Sequence, residues 1–425
     1  MNLTWLNQLT INKRTAGIIS SRYFFSQMSK FHSYINTSEK IIDLYKGDIP
    51  FSIFIKSHFA SNKKFGSRDR KQISELCFIY FRLSAALDKY SVKEKILTAF
   101  FLYNSTPTDL MQAIKPAWNS LVSLPITKKM KLVHIDMQLA DIFPFKEALN
   151  SSVNFEKFCL SFIAQPQLFV RVRPVLHECT INKIKQSLLP FSVLDNNCVQ
   201  LPSGTNIETF LLPDKEVVIQ DYNSQKVLDF LKTDPAKPVI EQKKDSGFTA
   251  VWDCCAASGG KSILLYDILN GKCNLTVSDI RPSILSNLHQ RFKRAGINKY
   301  QYFTSDITNE MEVSKATNYD IIICDAPCTG SGTWSRTPEQ LHFFNESSIE
   351  IYNTKQKKIV QNILPHLKPG GLLFYITCSV FEKENDAIVN FIKSTFNLQV
   401  LQQQYLYGYE KNADSMFVAV CRKPQ

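Results

Sequence analysis

Apolar and polar positions along this 425-residue chain follow two regimes. From Ser33 to about Asn150 the spacing is helical. Between Arg70 and Lys89, Ile73, Leu76, Cys77, Tyr80, Leu83 and Leu87 fall at steps of three and four on one stripe, while Lys71, Glu75, Arg82 and Asp88 lie largely elsewhere. Lys93 to Leu102 and Leu110 to Ile114 carry further apolar runs of the same kind, which predicts an all-α domain over 33–150. Residues 151–231 change character. Leu168 to Val172 reads as a strand ending in Arg173-Pro174, Ile181 to Leu189 as a helix, and Val217 to Ile219 as a strand running into Gln220-Asp221, an α+β subdomain. The stretch 232–247, rich in Pro, Lys and Asp and without amphipathic period, reads as a linker. Beyond Phe248 the pattern alternates. Strands are predicted at Ala250–Asp253, Leu275–Ser278, Tyr300–Thr304, Asp320–Cys324 and Leu372–Ile376, and helices after Lys261 and over Ser283–Ala295, Ile349–Leu367 and Glu384–Ser394. Repeated β then α predicts an α/β domain over 248–425 with a doubly wound, mostly parallel sheet.

Two of these strands deliver cysteines. Tyr319 to Cys324 has the β-branched, nearly continuous apolar character of a strand buried on both faces, and it runs into Asp325-Ala326-Pro327-Cys328. Leu372 to Ile376 ends in Thr377-Cys378-Ser379. In an open α/β sheet, ligands bind at the carboxyl ends of the strands, so both thiols are expected in one crevice. The first strand of the domain leads into Cys255-Ala256-Ala257-Ser258-Gly259-Gly260-Lys261, a turn of small residues whose backbone can approach a ligand closely. It has neither the dinucleotide nor the P-loop spacing, which disfavours a dehydrogenase. Asp279, Asp306 and Asp325 end successive strands on the same edge. An acid after the second strand suits ribose hydroxyls and one after the third suits an adenine amino group. A helix N-cap explains any one of them alone, but not three in register with a Gly-Gly turn.

Charge and cysteine usage add to this picture. Fifty Lys and Arg against 38 Asp and Glu give a net charge of +12, and residues 1–100 hold 16 basic and 7 acidic side chains, a balance of +9. A polyanionic partner is the natural inference, with a well-solvated surface as the alternative. The cluster Lys63, Lys64, Arg68, Arg70 and Lys71 is open to the same two readings. Eleven cysteines form no CxxC pair, and Cys77, Cys159 and Cys324 sit inside apolar patterns, so neither a metal site nor a disulfide framework is expected and a reducing cytoplasm fits best. No apolar run reaches the ~18 residues of a membrane span. Residues 1–30 contain four basic and no acidic residues. They resemble an organellar transit peptide, or else translation starts at Met28; 1–32 is therefore an extension of open status.

A thiolate that adds to carbon 6 of a pyrimidine makes carbon 5 nucleophilic toward an electrophilic methyl group. An acid near ring nitrogen 3 neutralises the developing charge, and a second thiol can assist elimination. Asp325, Cys378 and Cys328 are the residues for one such mechanism.

The motifs DCCAASGGKS (253–262), SDIR (278–281), SD (305–306), DAPCTGSGT (325–333), Arg336-Thr337-Pro338-Glu339, LKPGGLLFYITCS (367–379) and Glu384-Asn385 resemble those of the RsmB/Sun/NOL1/NOP2 family of RNA cytosine carbon-5 methyltransferases. RVRP (171–174) and VVIQDYNSQKV (217–227) resemble that family's approach to its catalytic domain, FGSRDRKQISELCFIYFRL (65–83) resembles its NusB-like helical domain, and ADSMFVA (413–419) resembles its closing strand. The resemblance implies a Rossmann-like S-adenosylmethionine-dependent methyltransferase domain. It implies Cys378 as nucleophile, Cys328 as promoter of product release, and Cys255, Ala256, Ala257, Ser258, Gly259, Gly260, Lys261, Asp279, Asp306 and Asp325 around S-adenosylmethionine. It also implies RNA, small-subunit ribosomal RNA in particular, as partner of a monomer. Ser258 replaces the usual proline, Arg173 a common asparagine, and Tyr222 a small or acidic residue; these departures put substrate contacts in doubt more than catalysis. A noncatalytic rRNA-binding assembly factor, an enzyme acting on tRNA or another RNA, and a DNA cytosine methyltransferase are the alternatives. The last would use Cys328 as nucleophile.

Overall fold

A computed structural model describes residues 27–133, 137–195, 197–241, 247–309 and 318–425; the expectations about 1–26 lie outside them. The chain forms two compact units. One takes the chain as far as Pro144 together with Phe162–Ala164 and Thr337–Phe343. Among the described residues its secondary structure is helical, the first helix lying over 27–44. Helix Ser67–Leu83 buries Ile73, Leu76, Cys77, Tyr80 and Leu83, the expected stripe, and Leu87 follows it into the core from the turn beyond. The next helix, Val92–Tyr103, starts at a reciprocal cap between Ser91 and Glu94. Sequence patterning did not foresee that helix Pro338–His342 belongs to this unit. Its Glu339 accepts the Phe51 amide (3.3 Å), His342 Nδ1 meets Ser84 Oγ (2.8 Å), and Phe343 stacks edge-on against Tyr45.

The second unit contains two sheets. Strands β1 (Leu168–Val172), β2 (Ser192–Val193), β3 (Cys198–Leu201) and β4 (Val217–Ile219) form an antiparallel sheet in the order β2-β3-β1-β4. Its core joins Val170, Val172, Val199, Leu201 and Val217 to Ile184 of helix His177–Gln186. The larger sheet contains β5 (Thr249–Asp253), β6 (Cys273–Asp279), β7 (Gln301–Thr304), β8 (Tyr319–Asp325), β9 (Leu367–Thr377), β10 (Gln399–Leu406) and β11 (Met416–Arg422). Their order is β10-β11-β9-β8-β5-β6-β7. β9 to β7 run parallel, whereas β11 and β10 are antiparallel. β10 escaped the pattern because it is a half-exposed edge strand carrying four glutamines and, in Val400, one β-branched residue.

Strand β8 is buried on both faces. Ile321 and Ile323 enter the core beneath one layer of helices, and Ile322 and Cys324 the core beneath the other. Residues 232–247 are not simply extended linker. A 3-10 turn at Asp234–Ala236 leads into helix Lys237–Glu241, whose Val239 and Ile240 pack on the sheet's core, so apolar burial overrides the polar composition; 242–246 lie outside the described residues.

Candidate active site

Sheet register brings the two cysteine loops together. β8 and β9 are parallel neighbours with Asp325 opposite Ile376, so the chain leaves both strands at the same level. Cys328 Sγ and Cys378 Sγ meet at 3.4 Å. The loops are clamped from below by Glu384, which accepts hydrogen bonds from the Thr329 amide (2.9 Å), the Thr329 hydroxyl (2.6 Å), the Ser379 hydroxyl (2.5 Å) and the Gln356 amide (3.2 Å). Gly332 donates its amide to Cys378 O at 2.8 Å. A Cβ there would lie 2.1 Å from Ser415 O and 2.9 Å from Cys378 O, so no larger residue fits. The contact with Cys378, followed by burial, pushes the Cys328 thiol well above its ordinary pKa.

Asp325 Oδ2 accepts a hydrogen bond from Lys261 Nζ at 2.5 Å. Burial works against the Lys261 ammonium, yet attraction to Asp325 and its hydrogen bond outweigh that cost and leave the pKa raised. The turn that delivers Lys261 is shaped by positive φ at Ala257 (46°) and Gly259 (84°). A Cβ at Gly259 would come within 2.7 Å of the Phe292 ring. Arg291 donates to Ser258 Oγ (2.9 Å) and Ser258 O (3.1 Å), so this side chain ties down a turn where proline was expected.

Two cavities meet at these residues. The larger, about 540 Å³, is lined by Cys255, Ala257, Asp279, Asp306, Asp325, Cys328 and Cys378 among others. Asp279 accepts from the Ala257 amide (3.0 Å) and from the Arg281 amide (3.0 Å) and guanidinium (2.9 Å). Burial would raise its pKa, but Arg281 and these amides together lower it. Asp306 accepts from the amide and hydroxyl of Thr308, and that hydroxyl is the main cause of its lowered pKa. The smaller cavity, about 310 Å³, is lined by Ala256, Ser258, Gly260 and Lys261 together with Asp221, Asp414, Asp325 and Cys378. The residues expected around one cofactor thus divide between two cavities, and Gly259 lines neither.

Sequence reasoning assigned no role to Asp221 and Asp414. Arg336 bridges them, with Nη2 on Asp221 and Nε on Asp414, both at 2.7 Å. Burial and the neighbouring Asp221 charge push Asp414 up to about 7 despite Arg336. The only signal was local: Gln220-Asp221 follows β4 and Asp414 precedes β11. Arg173 spends its donors inside the protein. It is buried, donating to Asp267 Oδ1 (2.7 Å), Asp214 O (3.0 Å) and Ala295 O (2.7 Å). Tyr222 is sandwiched by Lys226, 4.1 Å from its ring, and Lys411 at 5.6 Å.

Residues 240–420 match the family model described as 16S rRNA methyltransferase RsmB/F. The chain is 30% identical over 197 residues to the "probable ribosomal RNA small subunit methyltransferase B" of Bacillus subtilis, covering 46% of this chain and 41% of that protein. It is 30% identical over 182 residues to ribosomal RNA small subunit methyltransferase B of an Enterobacter species, covering 43% of this chain and 39% of that protein. The matches thus span about two-fifths of those relatives' lengths. Among solved structures, NSun6 from Pyrococcus horikoshii with SFG superposes at a TM-score of 0.53 and 16% identity, over 68% of this chain and 97% of that one, a likeness of fold. The strand-end cysteines and the small-residue turn thus lie within residues 240–420, the part of the chain that is similar to the RsmB/F methyltransferases.

Proposed function

We propose that this protein methylates carbon 5 of a cytidine in RNA, small-subunit ribosomal RNA being the substrate, through a covalent adduct with Cys378. The observation that carries the reading is the 3.4 Å approach of Cys328 and Cys378, with the Lys261–Asp325 pair lining the cavity that Cys378 also lines. The larger cavity suits S-adenosylmethionine, since two carboxylates, Asp279 and Asp306, line it where ribose hydroxyls and an adenine amino group need acceptors. When bound, S-adenosylmethionine supplies the electrophilic methyl group. The smaller cavity suits the cytosine ring.

In this reading Cys378 Sγ adds to carbon 6, and the electron pair displaced toward nitrogen 3 is met by the proton held between Lys261 and Asp325. Carbon 5 takes the methyl group. Loss of the carbon 5 proton to a base, with return of the nitrogen 3 proton to the Lys261–Asp325 pair, then re-forms the 5,6 double bond and expels Cys378 as thiolate. Cys328, 3.4 Å away, donates its S–H to that sulfur and so stabilises it on departure.

Incubating wild-type, Cys378→Ala and Cys328→Ala protein with small-subunit RNA and labelled S-adenosylmethionine, followed by denaturing electrophoresis, tests this. Cys378→Ala is expected to give neither product nor adduct, and Cys328→Ala to accumulate a denaturation-resistant protein–RNA complex. If Cys378→Ala still methylates and Cys328→Ala abolishes attack, the thiol roles are reversed. No methyl transfer by wild type to ribosomal or transfer RNA favours a noncatalytic assembly factor.

A further inference from the structure

Behind the crevice lies a second group of cysteines that this chemistry does not use. β5 and β8 are parallel neighbours with Asp253 opposite Ile323, and the Cys254 amide donates to Ile323 O at 2.9 Å, so Cys254 and Cys324 leave the ladder side by side. The turn then folds Cys255 back toward them. The three Sγ atoms all lie within 4.8 Å of one another. Cys254 and Cys324 are buried, whereas Cys255 is partly open toward the larger cavity.

We propose that Cys254, Cys255 and Cys324 form a binding site for one divalent thiophilic cation, of which Zn²⁺ is the biological representative, reached from the crevice past Cys255. The separations suit three thiolates around one ion, because Zn–S bonds of about 2.3 Å place ligand sulfurs somewhat under 4 Å apart. Asp253, fully buried one residue before Cys254, has an oxygen, Oδ1, with no hydrogen-bond partner among the described residues. A disulfide is the poorer use of the cluster. Cys254 and Cys255 are adjacent, with Cα atoms about 3.8 Å apart, closer than a relaxed bridge allows, and pairing either with Cys324 strands the third thiol. Binding replaces three S–H bonds by three metal–sulfur bonds and releases three protons to solvent.

The test uses full-length protein carrying Cys328→Ala and Cys378→Ala, so that the catalytic thiols cannot compete. Cd²⁺ is the probe, because thiolate-to-Cd²⁺ charge transfer absorbs in the ultraviolet. Equilibrium dialysis is expected to find one tightly held Cd²⁺ per chain, with the absorption of three thiolates. Adding Cys324→Ala or, separately, Cys254→Ala is expected to remove a third of that absorption and weaken binding by at least ~10-fold. In wild-type protein, Zn²⁺ should shield Cys255 from iodoacetamide, read by peptide mass. Absence of a charge-transfer band, or binding unchanged in both added variants, overturns the site. These readouts need neither RNA nor S-adenosylmethionine, so they stand apart from the test of methylation.

Discussion

Lys261 shows how far a residue's place in a motif can differ from its place in space. In the chain it closes the small-residue turn expected to cradle the cofactor, but its ammonium reaches across the sheet edge to Asp325 and lines the smaller cavity. In the proposed mechanism its part is the proton movement at the base. Lys261→Met is expected to lower turnover by ~100-fold or more, the scale of a lost acid–base group, while S-adenosylmethionine affinity measured by calorimetry changes little. A large loss of affinity with intact turnover would return Lys261 to the cofactor. His342 is a second single-residue case. Burial first, and Lys95 next, depress its pKa below the ordinary 6.5, so the folded state binds fewer protons than the unfolded one. Its share of stability is full above pH 6.5 and is lost as pH falls through and below that value toward the depressed folded pKa. Denaturation midpoints measured from pH 7.5 to 5 should fall less steeply for His342→Gln than for wild type.

At the scale of elements, the antiparallel sheet is joined to the catalytic sheet by charge as well as by apolar packing. Arg171 and Arg173 of the β1 end both reach Asp267 near the end of helix Gly260–Ile268, at 2.6 and 2.7 Å, with all three side chains under 10% exposed. Burial lowers the Arg171 pKa even with Asp267 beside it. Removing one member of such a cluster leaves unpaired buried charge, so Asp267→Ala is expected to cost roughly 3–5 kcal/mol in chemical denaturation. A cost under 1 kcal/mol would mean that water enters the junction. The RVRP motif was legible in the sequence, but its purpose was not. Arg171 lies in β1 and Arg173 follows it, and only the helix arriving from 94 residues after Arg173 supplies Asp267.

For the whole molecule, the net charge of +12 and the basic first quarter favour a phosphate-rich partner. Lys63, Lys64, Arg68, Arg70 and Lys71 are all exposed around the start of helix Ser67–Leu83, with Arg70 Nε bonded to Phe65 O. If they lie on RNA phosphates, replacing Lys63, Lys64 and Arg68 by Ala should weaken RNA binding at low salt. The slope of log affinity against log salt should fall by about 2 to 3, close to one per contact removed. An unchanged slope would assign the cluster to solvent alone. The helical unit also takes in Thr337–Phe343, a piece of chain lying between the catalytic motifs, which helical periodicity over 33–150 had no means of revealing.

The sequence by itself determined the helical first third, the parallel alternation after residue 248, the acids and cysteines that end the strands, and the similarity of residues 240–420 to the RsmB/F model. Those features are local. Periodicity, turn chemistry and strand character depend on neighbours a few residues away and survive being read in one dimension. Tertiary structure alone decided that Cys328 and Cys378 touch, that Lys261 pairs with Asp325, that one turn serves two cavities, and that Cys254, Cys255 and Cys324 converge. Each joins residues from different strands or loops, in most cases 50 or more positions apart. Strand order and register set which strand ends are neighbours, and these follow from how the whole core packs.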